Sequence, residues 1–410
     1  MADLPPEILT GILSLLPPQS LLRFRSTSKS LQSVIDSHNF IKLHLQNSLN
    51  RSLILRHNSD FYQINDFSNL TTRIKLNLPF KLPNNNISLF GSCNGLLCIT
   101  TNVGIAFWNP NIRKHQIIPN LPIPIPPPRS ESGNIHFLSC VHGFGFDPLN
   151  VDYKLLRISC VADPQYSTSD SHVRLFNSKM NSWKVLPSMP YALSYPRTEG
   201  VFVENSLHWI MTRTLDPLQS RVIVAFNLTH EIFNEVPFPD IDEEINSESF
   251  QIAVAVLEGC LCMTVNYQTA KIDVWVMKEY GCRDSWCKLF TLVDSCFTFP
   301  LESLRLVGYS SNGSMVLLEV DCEKLFWYDL KSEQVSCVQG IPNFDQAMIC
   351  VGSLVPPSFP RKESHTSKRR YVLFIIWVFA LYKLIPVQWI HHMIYAVKGK
   401  LNSYYRTRIL

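Results

Sequence analysis

The chain lacks the usual marks of a secreted, metal-bound or catalytic protein. Met1-Ala2-Asp3 is followed by neither a basic stretch nor an apolar leader, so no signal peptide is expected. Twelve cysteines are present, but none forms a C-x-x-C pair. Cys260-Leu261-Cys262 is C-x-C inside an apolar run, and Cys93/Cys98 and Cys282/Cys287 each enclose four residues. With no matching His-x₃₋₅-His set, no metal site is expected, and the cysteines read as buried reduced thiols of an intracellular protein. There is no G-x-S-x-G elbow, no phosphate-binding P-loop and no H-E-x-x-H, so neither an enzyme nor a cofactor is expected. His142 and His208 fall in strand or turn motifs and read as structural; His391-His392 has no partner ligand in spacing. Asp147 and Asp152 sit in a turn signal, where Asx-turn hydrogen bonding accounts for them. Charge of one sign is missing from the end of the chain: residues 361–410 carry ten Lys/Arg and one acid. The first 360 residues hold 27 basic and 32 acidic groups, so the body has no nucleic-acid signature.

What is present is concentrated first in residues 1–47. Pro5 and Pro6 suit the first turn of a helix, where a missing N–H costs nothing. Ile8, Leu9, Ile12, Leu13 and Leu16 recur at helical spacing, and Pro17-Pro18 is expected to end that helix. A second helix carries Leu21, Leu22 and Phe24; a third, from about Ser28 to Ser37, carries Leu31, Val34 and Ile35. Three short helices make a meagre core, so an apolar partner surface is expected to complete the unit.

The order Leu4-Pro5, apolar helix, Leu16-Pro17, Ser20-Leu21, Lys29, Phe40-Ile41 resembles an F-box. The resemblance implies docking to a Skp-type adaptor, and through it to cullin and RING subunits of a ubiquitin ligase. Carried over position by position, the docking role falls on Leu4, Pro5, Ile8, Leu9, Leu16, Pro17, Leu21, Phe24 and Lys29. Many F-boxes have Val-Cys before that Lys and Trp two residues after it; Thr27, Ser28 and Leu31 stand here, which is expected to thin the packing of the third helix.

From about residue 87 to 355 the pattern is short apolar or alternating runs divided by turn signals, with no long amphipathic helix and no βαβ alternation. Turns leading into apolar strands start at Asn94-Gly95, Asn205-Ser206, Glu258-Gly259 and Asn312-Gly313, spaced by 111, 53 and 54 residues. Aromatic strands ending in Asn or Asp recur at Phe107-Trp108-Asn109, Leu175-Phe176-Asn177, Ala225-Phe226-Asn227 and Trp327-Tyr328-Asp329, with Val274-Trp275-Val276-Met277 between the last two. A period near 50 is that of a kelch-like propeller blade. About five units are legible, with strands around Leu53–Ile64 as candidates for a sixth; a β-sandwich array is the alternative. The expected fold class is therefore α+β multidomain: a three-helix F-box (1–47), a mostly antiparallel, all-β, kelch-like propeller (48–360), and a basic linker with an apolar helical tail (361–410).

Gly91-Ser92-Cys93-Asn94-Gly95-Leu96, Trp108-Asn109-Pro110, Gly143-Phe144-Gly145-Phe146-Asp147-Pro148 with Asp152-Tyr153-Lys154, Leu207-His208-Trp209, and Val274-Trp275-Val276-Met277 through Ser285-Trp286 resemble the plant F-box-associated domain in the family's order. The resemblance implies a non-catalytic substrate receptor of an SCF-type ligase that captures a protein target, in cytoplasm and nucleus. Three segments are candidate recognition loops: Pro-rich 119–134, Ser/Thr/Asp-rich 163–172 and acidic 240–249. The other functional readings are a membrane-anchored interaction protein and a propeller enzyme with no ligase role.

The tail stands apart. Lys368-Arg369-Arg370 leads into twelve uncharged residues, 371–382; Lys383 interrupts, and the apolar character resumes through 397. A bilayer span needs about 20 apolar residues, and Lys383 at mid-membrane would cost roughly 2.5–3.5 kcal/mol. Residues 371–397 are thus a candidate membrane contact, with a soluble protein as the primary expectation.

Overall fold

The computed structural model describes residues 5–48, 50–67, 70–78, 87–101, 104–122, 137–163, 168–193, 199–213, 221–241, 250–267, 271–293, 296–297 and 303–358. Four helices open it rather than three: α1 (Pro6–Leu13), α2 (Pro18–Arg25), α3 (Lys29–Ile35) and α4 (His38–Asn47). The expected third helix stops early because Ser37 caps a new one, its hydroxyl accepting from the Phe40 N–H at 3.2 Å. Ser28 caps α3 in the same way, accepting from Leu31 N–H at 3.2 Å. At the positions that depart from the usual F-box pattern, Ser28 is this N-cap and Leu31 is buried with Leu13, Leu16, Leu21, Ile35 and Phe40. Pro17-Pro18 does not end α1. Ser14 ends it, donating to Gly11 O at 2.8 Å, and the two prolines open α2.

Six antiparallel sheets follow. Blade 1 contains β1 (Arg51–His57), β2 (Asp60–Ile64) and β3 (Ile74–Leu76). Blade 2 is β4 (Ser88–Cys93), β5 (Leu96–Thr101), β6 (Gly104–Asn109) and β7 (Lys114–Ile117). Blade 3 is β8 (Phe137–Asp147), β9 (Asp152–Asp163), β10 (Thr168–Asn177) and β11 (Ser182–Leu186). Blade 4 is β12 (Tyr191–Leu193), β13 (Val201–Val203), β14 (Ser206–Arg213), β15 (Arg221–Asn227) and β16 (Ile232–Val236). Blade 5 is β17 (Gln251–Leu257), β18 (Cys260–Asn266), β19 (Lys271–Met277) and β20 (Trp286–Val293). Blade 6 is β21 (Leu304–Tyr309), β22 (Met315–Val320), β23 (Lys324–Asp329) and β24 (Val335–Cys337). The last strand, β25 (Gln346–Val351), pairs with β1 in register Arg51↔Val351 to Arg56↔Gln346 and completes blade 1. The fold is a six-bladed propeller, not a sandwich, and the two ends of the β region share the closing blade.

The repeated sequence signals now have places. Asn94-Gly95, Asn205-Ser206, Glu258-Gly259 and Asn312-Gly313 lie in the turns between the paired strands β4–β5, β13–β14, β17–β18 and β21–β22. The aromatic motifs are the β6, β10, β15, β19 and β23 strands. Their terminal side chains hold the following turn: Asn227 Oδ1 accepts from Thr229 N–H (3.0 Å) and His230 N–H (2.8 Å), and Asp329 Oδ1 accepts from Lys331 N–H (2.9 Å) and Ser332 N–H (2.8 Å).

Each blade is buried on both faces, which explains runs such as Leu96-Leu97-Cys98-Ile99. Leu96 and Cys98 pack into the gap between blades 2 and 3, Leu97 and Ile99 into the gap between blades 1 and 2. One apolar cluster fills every gap around the ring. Around the axis, β25, β4, β8, β13, β17 and β21 are successive neighbours. In blade 4 the inner position is shared by β12 and β13, both paired to β14. There Gly143 and Gly200 form a parallel bridge against the buried Trp209 indole. A Cβ on Gly200 would stand 2.3 Å from Trp209 Cζ2, and one on Gly143 2.7 Å from the same atom. Gly200→Ala should therefore destabilise the ring by about 1–3 kcal/mol through overpacking. Chemical denaturation reads the loss; an unchanged midpoint would mean that Trp209 moves aside freely.

Candidate functional site

Two surfaces follow from this arrangement, and one segment sets their relation. After β25 the chain runs on as residues 352–357 across the end of the ring that carries the helices. Gly352 N–H donates to Asn50 O at 2.7 Å, and Ser48 Oγ donates to Gly352 O at 2.8 Å. Asn109, at the end of β6, is wholly buried. Its Nδ2 donates to Val355 O (2.8 Å), Ser353 O (3.1 Å) and Ser353 Oγ (3.2 Å). Ser353 Oγ in turn donates to Asn94 O at 2.7 Å. Gly95, at φ +81°, leaves room for this strap, since a Cβ there would meet Ser353 Oγ at 2.2 Å. Ser178 Oγ donates to Pro357 O at 3.0 Å, so the strap reaches blade 3.

The helices sit on the strap. Leu354 belongs to their core, with Ile112 of blade 2 packed against it, while Ile41 and Leu45 of α4 pack on the cluster between blades 2 and 3. His44 Nε2 hydrogen-bonds to Leu16 O at 3.0 Å; burial pushes this imidazole down, so it stays neutral at pH 7. Asn47 Nδ2 donates to Ser14 Oγ at 2.8 Å.

Of the residues expected to dock an adaptor, Pro5, Ile8 and Lys29 are exposed, Ile8 at 49 %. Leu9, Pro17 and Phe24 are half-buried. Leu16 and Leu21 are inside the helical core, at 4 % and 0 % exposure, and Leu4 lies outside the described residues. The free apolar surface is therefore the N-terminal part of α1 with Leu9 and Phe24; Leu16 and Leu21 support it from within.

The second surface is the opposite end of the ring. The innermost strand of each blade, β25 in blade 1, runs toward the helices, as the Asn94–Ser353 contact and the Arg51–Glu258 ion pair at the β17–β18 turn show. In these antiparallel blades the connections between second and third strands, and from blade to blade, therefore leave from the far end. All three candidate recognition segments are connections of this kind: β7 to β8, β9 to β10, and β16 to β17. Residues 123–134, 164–167 and 242–249 of them lie outside the described residues. The second segment is shorter than expected, because Thr168–His172 already belongs to β10. At the base of the first, Leu121 O accepts from Arg157 Nη1 (2.6 Å) and Pro119 O from Trp183 Nε1 (2.7 Å).

The buried histidines act as braces. His208 reaches Val201 O through Nδ1 (3.0 Å) and Tyr280 OH through Nε2 (2.7 Å), joining blades 4 and 5. His142 stacks on Phe90 at 4.0 Å, and burial pushes it down to about 3. Cys140 Sγ is 3.8 Å from His142 Nε2, yet burial raises this thiol, the reverse of an activated thiolate. Among the described residues no three His, Cys, Asp or Glu side chains converge as a metal site. All twelve cysteines are free; five are buried, while Cys322 and Cys337 are exposed, contrary to the expectation for all twelve.

The Asp147-to-Lys154 motif contains an ion pair that its turn signal hides. Asp147 Oδ1 accepts from Leu149 N–H (3.1 Å) and Asn150 N–H (3.2 Å), as an Asx turn requires. Lys154 Nζ lies 2.9 Å from Asp147 Oδ2 and 3.1 Å from Glu231 Oε1, and donates to Leu228 O at 2.6 Å. Thr229 Oγ1 donates to Asp147 Oδ1 at 2.7 Å. Blade 3 is thereby bolted to the β15–β16 turn of blade 4. Burial alone would push the Asp147 carboxyl up, but hydrogen bonds from Asn150, Thr229 and Lys154 outweigh it and hold the group down at about 2. Its stabilising contribution is present above the ordinary carboxylate pKa of about 3.9 and is lost as pH falls through about 2. Lys154→Met strands a buried carboxylate and should cost about 3–5 kcal/mol in urea unfolding at pH 7. That deficit should shrink as the acid limb is approached; a deficit under about 1 kcal/mol at pH 7 would contradict the bolt.

The family described as F-box domain matches residues 1–43, and the family described as F-box associated beta propeller domain matches residues 50–356. F-box protein CPR1 of Arabidopsis thaliana is 32 % identical over 376 residues, covering 87 % of this chain and 89 % of that protein. An F-box/kelch-repeat protein of the same plant is 25 % identical over 346 residues, 77 % of this chain and 85 % of its own length. F-box/WD-40 repeat-containing protein 1, also from Arabidopsis thaliana, is 28 % identical over 302 residues, 70 % of this chain and 68 % of its own.

Proposed function

The chain belongs to the F-box proteins that carry an F-box associated β-propeller, and we propose that it is the substrate-recognition subunit of an SCF-type ubiquitin ligase. A Skp-type adaptor docks on the exposed apolar surface of α1, and cullin and RING subunits follow through it. The end of the ring opposite the helices captures a protein target for ubiquitination. The chain itself is non-catalytic in this reading, takes no cofactor, and works in cytoplasm and nucleus.

One observation carries the reading. The strap fixes the helical unit to one end of the ring, and the recognition connections leave from the other. A receptor of this shape holds its cargo away from the ligase core, at a set distance. A rigid scaffold with loops at one end is also where recognition residues usually lie.

Ile8 is the residue to change, because it is half-exposed and supports no core cluster. Ile8→Glu should weaken co-purification with a Skp-type adaptor at least tenfold, about 1.4 kcal/mol, while thermal unfolding stays at the wild-type midpoint. Proteins captured by the ring should accumulate, and lose ubiquitination, in cells carrying that variant. Undiminished adaptor binding by Ile8→Glu would remove the proposed docking surface. Unchanged abundance of every captured protein would leave the ring as an interaction module without a degradation role.

A further inference from the structure

We propose that the apolar segment 371–382 docks on the corner of blade 3 formed by Leu149 and Met180. These are the two most exposed large hydrophobic side chains among the described residues, at 75 % and 73 %. A single exposed Leu means little, but both occupy tips of neighbouring turns, where polar residues are usual. The β8–β9 and β10–β11 turns that carry them are held as one platform. Lys179 N–H donates to Asp152 Oδ1 at 2.9 Å, Lys179 Nζ donates to Asn150 O, and Asn150 Nδ2 donates to Asp147 Oδ2 at 2.7 Å. Two fixed apolar groups at such a corner are a site for an apolar occupant.

The strap says which occupant. Pro357 O accepts from Ser178 Oγ, two residues from Met180, so the chain is released at this corner. Twelve residues, 359–370, then separate it from the uncharged segment. They reach at most about 40 Å when fully extended, far more than the return to an adjacent turn requires. Lys383 interrupts the apolar run after twelve residues, so a bilayer span of about 20 would bury that charge, whereas a protein surface has only the twelve uncharged residues to cover. Residues 359–410, this segment and the expected helical tail included, lie outside the described residues.

Hydrogen exchange of the full chain tests this against a chain ending at residue 358. Docking predicts that amides 149–151 and 179–181 exchange at least about fivefold faster without the tail, with β9 and β10 unchanged. In the full chain, Leu149→Ser with Met180→Ser should speed exchange of amides 371–382, and both side chains are exposed enough to leave the ring intact. Equal exchange at the two turns with and without the tail would overturn the proposal. Flotation with vesicles of phosphatidylcholine and phosphatidylserine separates the lipid alternative: docking predicts that the full chain stays unbound. Co-flotation that depends on residues 371–397, with the two turns unprotected, would assign the segment to a bilayer instead.

Discussion

Closure of the ring is the constraint on which the rest depends. A propeller leaves two sheet faces bare until its last blade is filled, because every sheet needs a neighbour on both faces. Here the closing blade joins β1 and β25, from opposite ends of the β region, and the chain then continues straight into the strap. Asn109 gathers Ser353 and Val355, Ser178 holds Pro357, and Leu354 enters the helical core. One segment thus finishes the ring and seats the helices on it. Any loosening of β25 is transmitted to the helices, which cannot bury their own faces alone.

Polar groups inside the ring are few and serve as joints between blades. Lys154 with Asp147 and Glu231 joins blades 3 and 4, and His208 with Tyr280 joins blades 4 and 5. Arg305 with Glu319 and Ala347 O ties blade 6 to the closing blade. These three joints cross from one blade to the next, so they select register between sheets that apolar packing alone would let slide, whereas buried Asp273 is paired inside blade 5 with Lys271 and Lys288. The elevated Glu199 carboxyl is the exception. Burial pushes it up to about 8, and its oxygen accepts from His142 N–H beside the glycine bridge at the axis. It is neutral there at pH 7, which removes the cost of an unpaired buried charge.

Much of this was legible in the sequence because the signals are local. Turn pairs recur in four of the six blades and Asn- or Asp-ended aromatic strands in four, so the period and most strand identities could be read directly. The closing blade was harder: its strands are 290 residues apart at Arg56 and Gln346, and the β1–β2 turn lies at the other end of the blade from the repeated turns. The strap was hidden for the same reason, since Ser353 and Val355 find Asn109 across 244 and 246 residues. The turn residues of Asp147 predicted an Asx turn correctly, but not the lysine bond to Glu231, 77 residues away. In the helices, spacing identified an apolar stripe without saying which members face inward. Leu16 and Leu21 fill the unit's own core, whereas Ile8 is left for a partner. Ser37, a helix cap, was read as the end of the third helix, so α4 beyond it went unread.

The coupling of closure to helix placement can be measured in one variant. Asn109→Ala removes three of the bonds that hold the strap, those at its centre, and leaves the helices' own residues untouched. Native-state hydrogen exchange should then show α4 and β25 losing protection together and by the same factor, while β18 and β19 on the far side of the ring keep theirs. Loss of protection in β25 with α4 unchanged would contradict the account, because the helices would then be seated by contacts other than the strap.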